Sequence, residues 1–294
     1  MGTPLVFIGV LVSIGLAVLL LWWLINATEG VYLGRRMVIW LYDRYAHRYD
    51  RTKEFETAYE AAYLGRPLLQ AMDTPNALIL DVATGTGRLP ATLFQRPAFT
   101  GKIVAIDLSR QMLTRAAAKL HHEITANRAY LLHCPADHLP FPDNTFEAVT
   151  ILEALEFMPS PQAVLREIQR VTRPGGVVLM SNRQGREAKL LPGKTMSNEG
   201  FEQYLTETLG FEFVEIERWQ VGYALVWAFK AGAFPPATAR PLGEIWQCPA
   251  CDQIALAPQT HQWVCTHCGQ RILVGEDGVI ELFSAKVDRR AIKN

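Results

Sequence analysis

Ile79-Leu80-Asp81-Val82-Ala83-Thr84-Gly85-Thr86-Gly87 is the stretch on which the architecture turns. The apolar run from Ala77 to Leu80 reads as a buried strand that ends in an acid. Small residues after it let backbone approach a bound molecule before a helical stretch begins. A second apolar strand, Lys102-Ile103-Val104-Ala105-Ile106, ends in Asp107, twenty positions beyond Gly87. An acid at that place is positioned to accept hydrogen bonds from both ribose hydroxyls of a nucleoside lying across the strand ends. A glycine loop with a distant acid therefore implies an adenosine-bearing cofactor.

Two cofactors compete for this pattern. A nicotinamide-binding turn needs G-x-G-x-x-G, but counting from Gly85 and Gly87 the third position is Pro90. Asp81 would also repel a pyrophosphate, whereas it suits a cationic amine such as the methionine end of S-adenosylmethionine. A phosphate-binding P-loop is excluded because no Gly-Lys-Ser/Thr follows.

The loop resembles motif I of class I S-adenosylmethionine-dependent methyltransferases, and further blocks resemble their ubiquinone/menaquinone C-methyltransferase branch. Tyr42-Asp43-Arg44-Tyr45-Ala46-His47-Arg48-Tyr49-Asp50 is similar to its amino-terminal signature. Asp107-Leu108-Ser109-Arg110-Gln111-Met112-Leu113 is similar to the block after the ribose acid. Leu139-Pro140-Phe141-Pro142-Asp143-Asn144-Thr145-Phe146-Glu147 and Leu165-Arg166-Glu167-Ile168-Gln169-Arg170-Val171-Thr172-Arg173-Pro174-Gly175-Gly176 are similar to two later ones. The likeness covers roughly Val38 to Lys230. It implies that Tyr49, Asp81, Ala83, Thr84, Gly85, Gly87, Asp107, Leu108, Met112, Ala136 and Asp137 hold the cofactor. One block departs from the family. Cys134-Pro135-Ala136-Asp137 has proline where the family places its adenine-binding acid, leaving the Ala136 N–H and Asp137 for that end.

The fold class expected is α/β, a Rossmann-like doubly wound sheet. It is mostly parallel with a closing antiparallel pair, and is joined to one transmembrane helix and a small zinc ribbon. Strands are predicted near Leu78–Asp81, Ile103–Asp107, Ala129–His133, Ala148–Leu152 and Val177–Ser181. A polar loop, Arg183 to Lys194, and a helix, Asn198 to Leu209, follow. Two more strands, Glu212–Trp219 and Tyr223–Lys230, close the sheet.

The first segment differs in kind. Leu5 to Ile25 carries no charge, and as a helix it extends about 30 Å at ~1.5 Å per residue, enough to cross the hydrocarbon core. Arg35 and Arg36 follow it and no Lys or Arg precedes it, which predicts a single-pass protein with its catalytic part in the cytoplasm. Trp22 and Trp23 would mark the inner interface. Gly9, Ser13 and Ala17 form a small-residue stripe through which two copies would pair as a homodimer. The aromatic, basic stretch from Val31 to Ala62 reads either as a helix lying on the membrane surface and capping the cofactor or as an ordinary amphipathic helix packed on the sheet, and the two are compatible.

The organisation predicted is an anchor at 1–30, the methyltransferase domain at 31–232, a proline-rich linker at 233–244, a zinc ribbon at 245–283 and a basic tail at 284–294. The ribbon rests on Cys248-Pro249-Ala250-Cys251 and Cys265-Thr266-His267-Cys268, thirteen residues apart. Two such knuckles aim four thiolates at one metal, and a filled four-cysteine set makes zinc structural. Disulfides are disfavoured on a reducing side of the membrane. Cys134, the fifth cysteine, reads as packing.

Lys and Arg number 29 against 29 Asp and Glu, so no global field favours nucleic acid. Beyond the fourth strand the chain reads Glu153-Ala154-Leu155-Glu156-Phe157-Met158, without the Asn/Asp-Pro-Pro-Tyr/Phe cluster used on planar amino groups. Glu153 and Glu156 are the candidates for orienting the acceptor or removing its proton. The expected activity is methylation of a small or amphiphilic acceptor, quinone-like or lipid, met at the membrane. The alternatives are a methyltransferase of RNA or protein that uses the ribbon for recognition, and a non-catalytic cofactor-binding scaffold.

Overall fold

The computed structural model describes residues 3–53, 57–233 and 240–283. The basic tail and positions 234–239 of the linker lie outside the described residues. Helix α1 (Thr3–Trp22) is apolar all round, and the stretch Val6–Ala27 is long and apolar enough to cross a membrane. None of it is buried against the rest of the protein, which separates it from a core helix. After a wider turn at Trp23–Ala27 and bends at Gly30 and Gly34, the chain enters helix α2 (Arg35–Lys53). The ring of Trp23 stacks on Tyr32 at 5.2 Å.

The central sheet is built from β1 (Leu78–Val82), β2 (Lys102–Asp107), β3 (Ala129–His133), β4 (Phe146–Ile151), β5 (Thr172–Arg183), β6 (Phe211–Gln220) and β7 (Tyr223–Lys230). Strands β8 (Leu256–Gln259), β9 (Gln262–Cys265) and β10 (Arg271–Leu273) make a small antiparallel sheet. The two-residue β11 (Ile280–Glu281) returns to the large one. The order across the large sheet is β11-β3-β2-β1-β4-β5-β7-β6. Pairing is parallel from β11 to β5, and β7 then enters antiparallel between β5 and β6. The expected doubly wound sheet with its antiparallel closure is therefore present.

Strands buried on both faces are near-continuously apolar, and β1 reads Leu78-Ile79-Leu80-Asp81-Val82 for that reason, with Asp81 its single polar position. Leu78, Leu80 and Val82 pack on one face with Ile106, Leu132, Phe141 and Phe146. Ile79 packs on the other with Ile103, Leu113 and Leu131. The first core also contains Leu242, Ile245, Trp246, Leu256 and Ile280, so the cysteine-bearing segment adds to the core of the large sheet.

Three elements differ from the sequence expectation. Strand β5 begins at Thr172 rather than Val177, because Thr172 pairs with Phe146 before the ladder slips at Gly175, which has φ of 73°. The predicted helix Asn198–Leu209 is α-helical only to Gln203 and continues as a wider π turn, Tyr204–Thr208. Strand β11 had no counterpart in the sequence reading.

Candidate functional site

All the strand ends that matter meet above β1, β2 and β4, where a parallel sheet leaves a crevice at its carboxyl edge. Between β1 and helix α3 (Arg88–Phe94) the loop bends through Ala83, Gly85 and Gly87, with φ of 54°, 56° and 76°. Gly87 is required twice over. Its conformation is left-handed, and a Cβ there would stand 3.2 Å from both Ala116 and Leu120 on helix α4 (Arg110–Lys119) and the residue after it. That contact lets the loop lie flat against α4.

Asp107 closes β2 and is held rigidly. Its two oxygens accept from the backbone N–H of Gly85 and of Ser109, each at 2.8 Å. Burial pushes its carboxyl upward, and these backbone bonds oppose the rise. Asp107 lines an open cleft together with Tyr49, Ala83, Gly85, Leu108, Met112, Ala136, Asp137 and Glu153. Eight of the sequence-derived binding residues thus line one cleft with the candidate catalytic Glu153.

Asp81 sits beside this cleft rather than in it. It lines a smaller hollow with Thr84, Thr86 and Arg88, and Tyr49, Ala83, Gly85, Leu152 and Glu153 line both spaces. Its oxygens accept from Thr84 Oγ1 and Thr150 Oγ1, both at 2.6 Å. Each oxygen retains a second lone pair. Burial lifts the Asp81 carboxyl to about 6 against the opposing pull of those two hydroxyls and Arg88. Gly87 lines neither space; it shapes the loop.

The two glutamates proposed for catalysis are separated. Glu153, with φ of 52°, holds a left-handed backbone just past the end of β4, a conformation strained for any residue but glycine. Its Oε1 lies 2.9 Å from Arg88 Nη1, and Arg88 Nε lies 3.3 Å from Glu60 Oε2. Glu156 is turned away and buried. It accepts from the Tyr223 hydroxyl, pairs with Arg183 at 3.1 Å, and lines a different hollow with Asn182 and Lys194. Burial raises its carboxyl, against the bonds from Tyr223 and Arg183.

Helix α2 roofs the cleft. Arg35, Val38, Ile39, Tyr42 and Tyr49 recur at helical spacing and face inward, and with Phe157, Met158, Pro159 and Val164 they make its walls largely apolar. The roof is pinned by an ion pair between Arg35 and Asp137, and by Asp43, which accepts from Ser109 Oγ at 2.5 Å. Asp50 adds a bond from Thr86 and an ion pair with Lys119 at 3.0 Å. The sequence reading missed Arg35, Val38 and Ile39 as lining residues, although their spacing was visible.

A second centre lies in the small sheet. The Sγ atoms of Cys248, Cys251, Cys265 and Cys268 all fall within 4.8 Å of one another, with Cys248–Cys268 at 3.6 Å and Cys251–Cys265 at 3.7 Å. A tetrahedron with metal–sulfur bonds of ~2.3 Å has edges of roughly 3.8 Å, so the four thiols fit that geometry without rearrangement. Backbone N–H groups of Cys268 and His267 in the second knuckle hold the Cys265 thiol down to about 6. Cys134 is buried at the end of β3, and burial raises its thiol far above the ordinary range.

Residues 80–180 match the methyltransferase domain family. A demethylmenaquinone methyltransferase of Lactiplantibacillus plantarum is 34% identical over 136 residues, which is 46% of this chain and 57% of that protein. The ubiquinone/menaquinone biosynthesis C-methyltransferase UbiE of Burkholderia orbicola is 32% identical over 136 residues, covering 46% and 55%. The chain thus spans little more than half the length of these relatives. Among solved structures, a candidate S-adenosyl-L-methionine-dependent methyltransferase from Methanococcus maripaludis superposes with a TM-score of 0.52. It is 17% identical over 66% of this chain and 95% of that one, a likeness of fold.

Proposed function

We propose that this chain is a class I S-adenosylmethionine-dependent methyltransferase that acts on a small or amphiphilic acceptor, quinone-like or lipid, beside a membrane; the match of residues 80–180 to the methyltransferase domain family supports the reading. The observation that carries the reading is the cleft itself. Asp107 and Glu153 both line it, and its walls and roof are otherwise largely apolar. The roof helix follows the apolar α1 after the short connection 23–34, and the relatives bear the names demethylmenaquinone methyltransferase and ubiquinone/menaquinone biosynthesis C-methyltransferase. Helix α1 anchors the chain, with Arg35 and Arg36 on the cytoplasmic side. Close pairing of two copies along Gly9, Ser13 and Ala17 belongs to the same proposal.

S-adenosylmethionine supplies an electrophilic methyl group on a sulfonium. The chain's own work is to bind, align and keep water out. Asp107 accepts the ribose hydroxyls, the Ala136 N–H and Asp137 meet the adenine, and Asp81 with the Tyr49 side of the small hollow receives the ammonium end. Glu153, paired with Arg88, orients the acceptor and takes a proton at Oε where one is released. Glu156, enclosed by Tyr223 and Arg183, fixes the wall behind it. The cysteine set holds a structural zinc. Burial of Trp246 against the large sheet favours a structural role for that segment over free reading of RNA or protein.

Transfer of labelled methyl from S-adenosylmethionine into a membrane lipid extract tests the activity. Incorporation by the native chain and none above background with Asp107→Ala is the expected outcome; equal incorporation by both contradicts it.

The Asp81 assignment predicts a pH dependence. Its carboxyl titrates near 6 and pairs with an ammonium only when ionised. Cofactor affinity is therefore level above pH 6 as far as this group governs it, and falls up to about tenfold per unit below. Dissociation constants measured between pH 5 and 7 check this, and a flat profile removes Asp81 from the ammonium site.

A further inference from the structure

Strand β11 is the one part of the cysteine-bearing segment that enters the cofactor-binding sheet. It runs parallel to β3, with Ile280 opposite Leu132 and Glu281 opposite His133, and the Phe283 N–H donates to the His133 carbonyl at 2.7 Å. His133 is itself the register partner of Asp107. Its ring spans the two elements: Nδ1 lies 2.8 Å from Glu281 Oε2, and Nε2 lies 3.2 Å from the carbonyl of Leu108. Leu108 is the residue between Asp107 and Ser109, whose N–H and hydroxyl hold Asp107 and the roof helix.

A second connection runs in parallel. Arg110, the first residue of α4, is gripped by both oxygens of Asp277 at 2.9 Å and by Glu281 Oε1 at 2.5 Å. Thus two acids carried by the cysteine segment hold both sides of the turn Asp107 to Arg110. The segment is anchored independently by Trp246, fully buried, and by a bond from the Gln247 N–H to the Pro140 carbonyl at 2.9 Å. From the metal-ligand strand β9, ladder contacts run to β10 and through the Val274–Ile280 bridge to β11.

We propose that Glu281 is a positioning residue for the cofactor site: through His133 and Arg110 it sets the turn that presents Asp107, so that the cysteine module governs affinity for the adenosyl end of the ligand. The proposal rests on the reading of the cleft given above. Fixing a bound conformation in advance lowers the cost of binding without adding a contact to the ligand.

The test uses the full chain in lipid nanodiscs, with S-adenosylmethionine and S-adenosylhomocysteine as calorimetric ligands and metal content counted in every sample. Binding by the native chain tests the cofactor reading; the variants test this proposal. Glu281→Ala is expected to weaken both ligands about tenfold, a typical coupling between distinct sites, with metal content unchanged and kcat at saturation preserved. Glu281→Gln, whose single amide oxygen serves His133 or Arg110 but not both, restores only part of that loss. Two results overturn the proposal. One is native affinity in Glu281→Ala. The other is a loss that appears equally in Glu281→Gln and tracks loss of metal, because Glu281 would then serve only to keep the module folded.

Discussion

Asp107→Ala is expected to raise the dissociation constant for S-adenosylmethionine at least a hundredfold while the chain stays folded. Two hydrogen bonds from ribose hydroxyls to a carboxylate contribute about 1.5–3 kcal/mol each. About 1.4 kcal/mol corresponds to a factor of ten. The residue also organises its surroundings, because its oxygens hold the N–H groups of Gly85 and Ser109. Removing it frees both donors at the place where the nucleoside sits. Asp107→Asn separates the two effects: it retains one carbonyl acceptor, so its loss falls between native and alanine. Calorimetry measures the affinities, and thermal melting shows whether the loop has collapsed. A loss below about fivefold in a folded alanine variant would assign the ribose elsewhere.

Removing the metal from the four cysteines is expected to unfold the segment around them. Small metal-bound modules draw most of their folding free energy from the ion, about 10–16 kcal/mol for zinc-finger peptides near neutral pH. The small sheet here has three short strands, and Trp246, two residues before the first knuckle, is buried in the core of the neighbouring sheet with Trp263 of β9 packed edge-on at 5.2 Å. Loss of the ion should expose Trp246, open the β11–β3 edge and make residues 245–283 a substrate for protease. A strong chelator at neutral pH, one equivalent of zinc released per chain, and a red shift of tryptophan emission are the measurements. Unchanged emission and protease resistance after complete stripping would show that packing alone holds the segment.

The sheet was legible because its signals are local. Ala77 to Leu80 and Ile103 to Ile106 are uninterrupted apolar runs followed by acids, and strands buried on both faces need that pattern. The glycine loop was legible for the same reason, since Gly87 answers a steric demand that only a residue without a side chain meets. Strand β11 was hidden because two residues form no periodic pattern, and its partner His133 lies far away in sequence. Glu156 could not be distinguished from Glu153 by position alone. Tyr223 and Arg183, which draw it away from the cleft, arrive from β7 and β5. That Asp81 lines an adjoining hollow rather than the main cleft, held there by Thr84 and Thr150, was not legible because Thr150 arrives from β4. In α2 the lining face was encoded in the spacing of Arg35, Val38, Ile39, Tyr42 and Tyr49, but the aromatic and basic residues between them drew the reading toward the membrane.

Equilibrium binding of S-adenosylmethionine to the full chain in lipid nanodiscs tests the central claim most directly. The account predicts one ligand per chain, displaced by S-adenosylhomocysteine but not by a nicotinamide dinucleotide, and strongly weakened by Asp107→Ala. Absence of binding by folded, metal-loaded protein, or equal binding by the Asp107 variant, would contradict it.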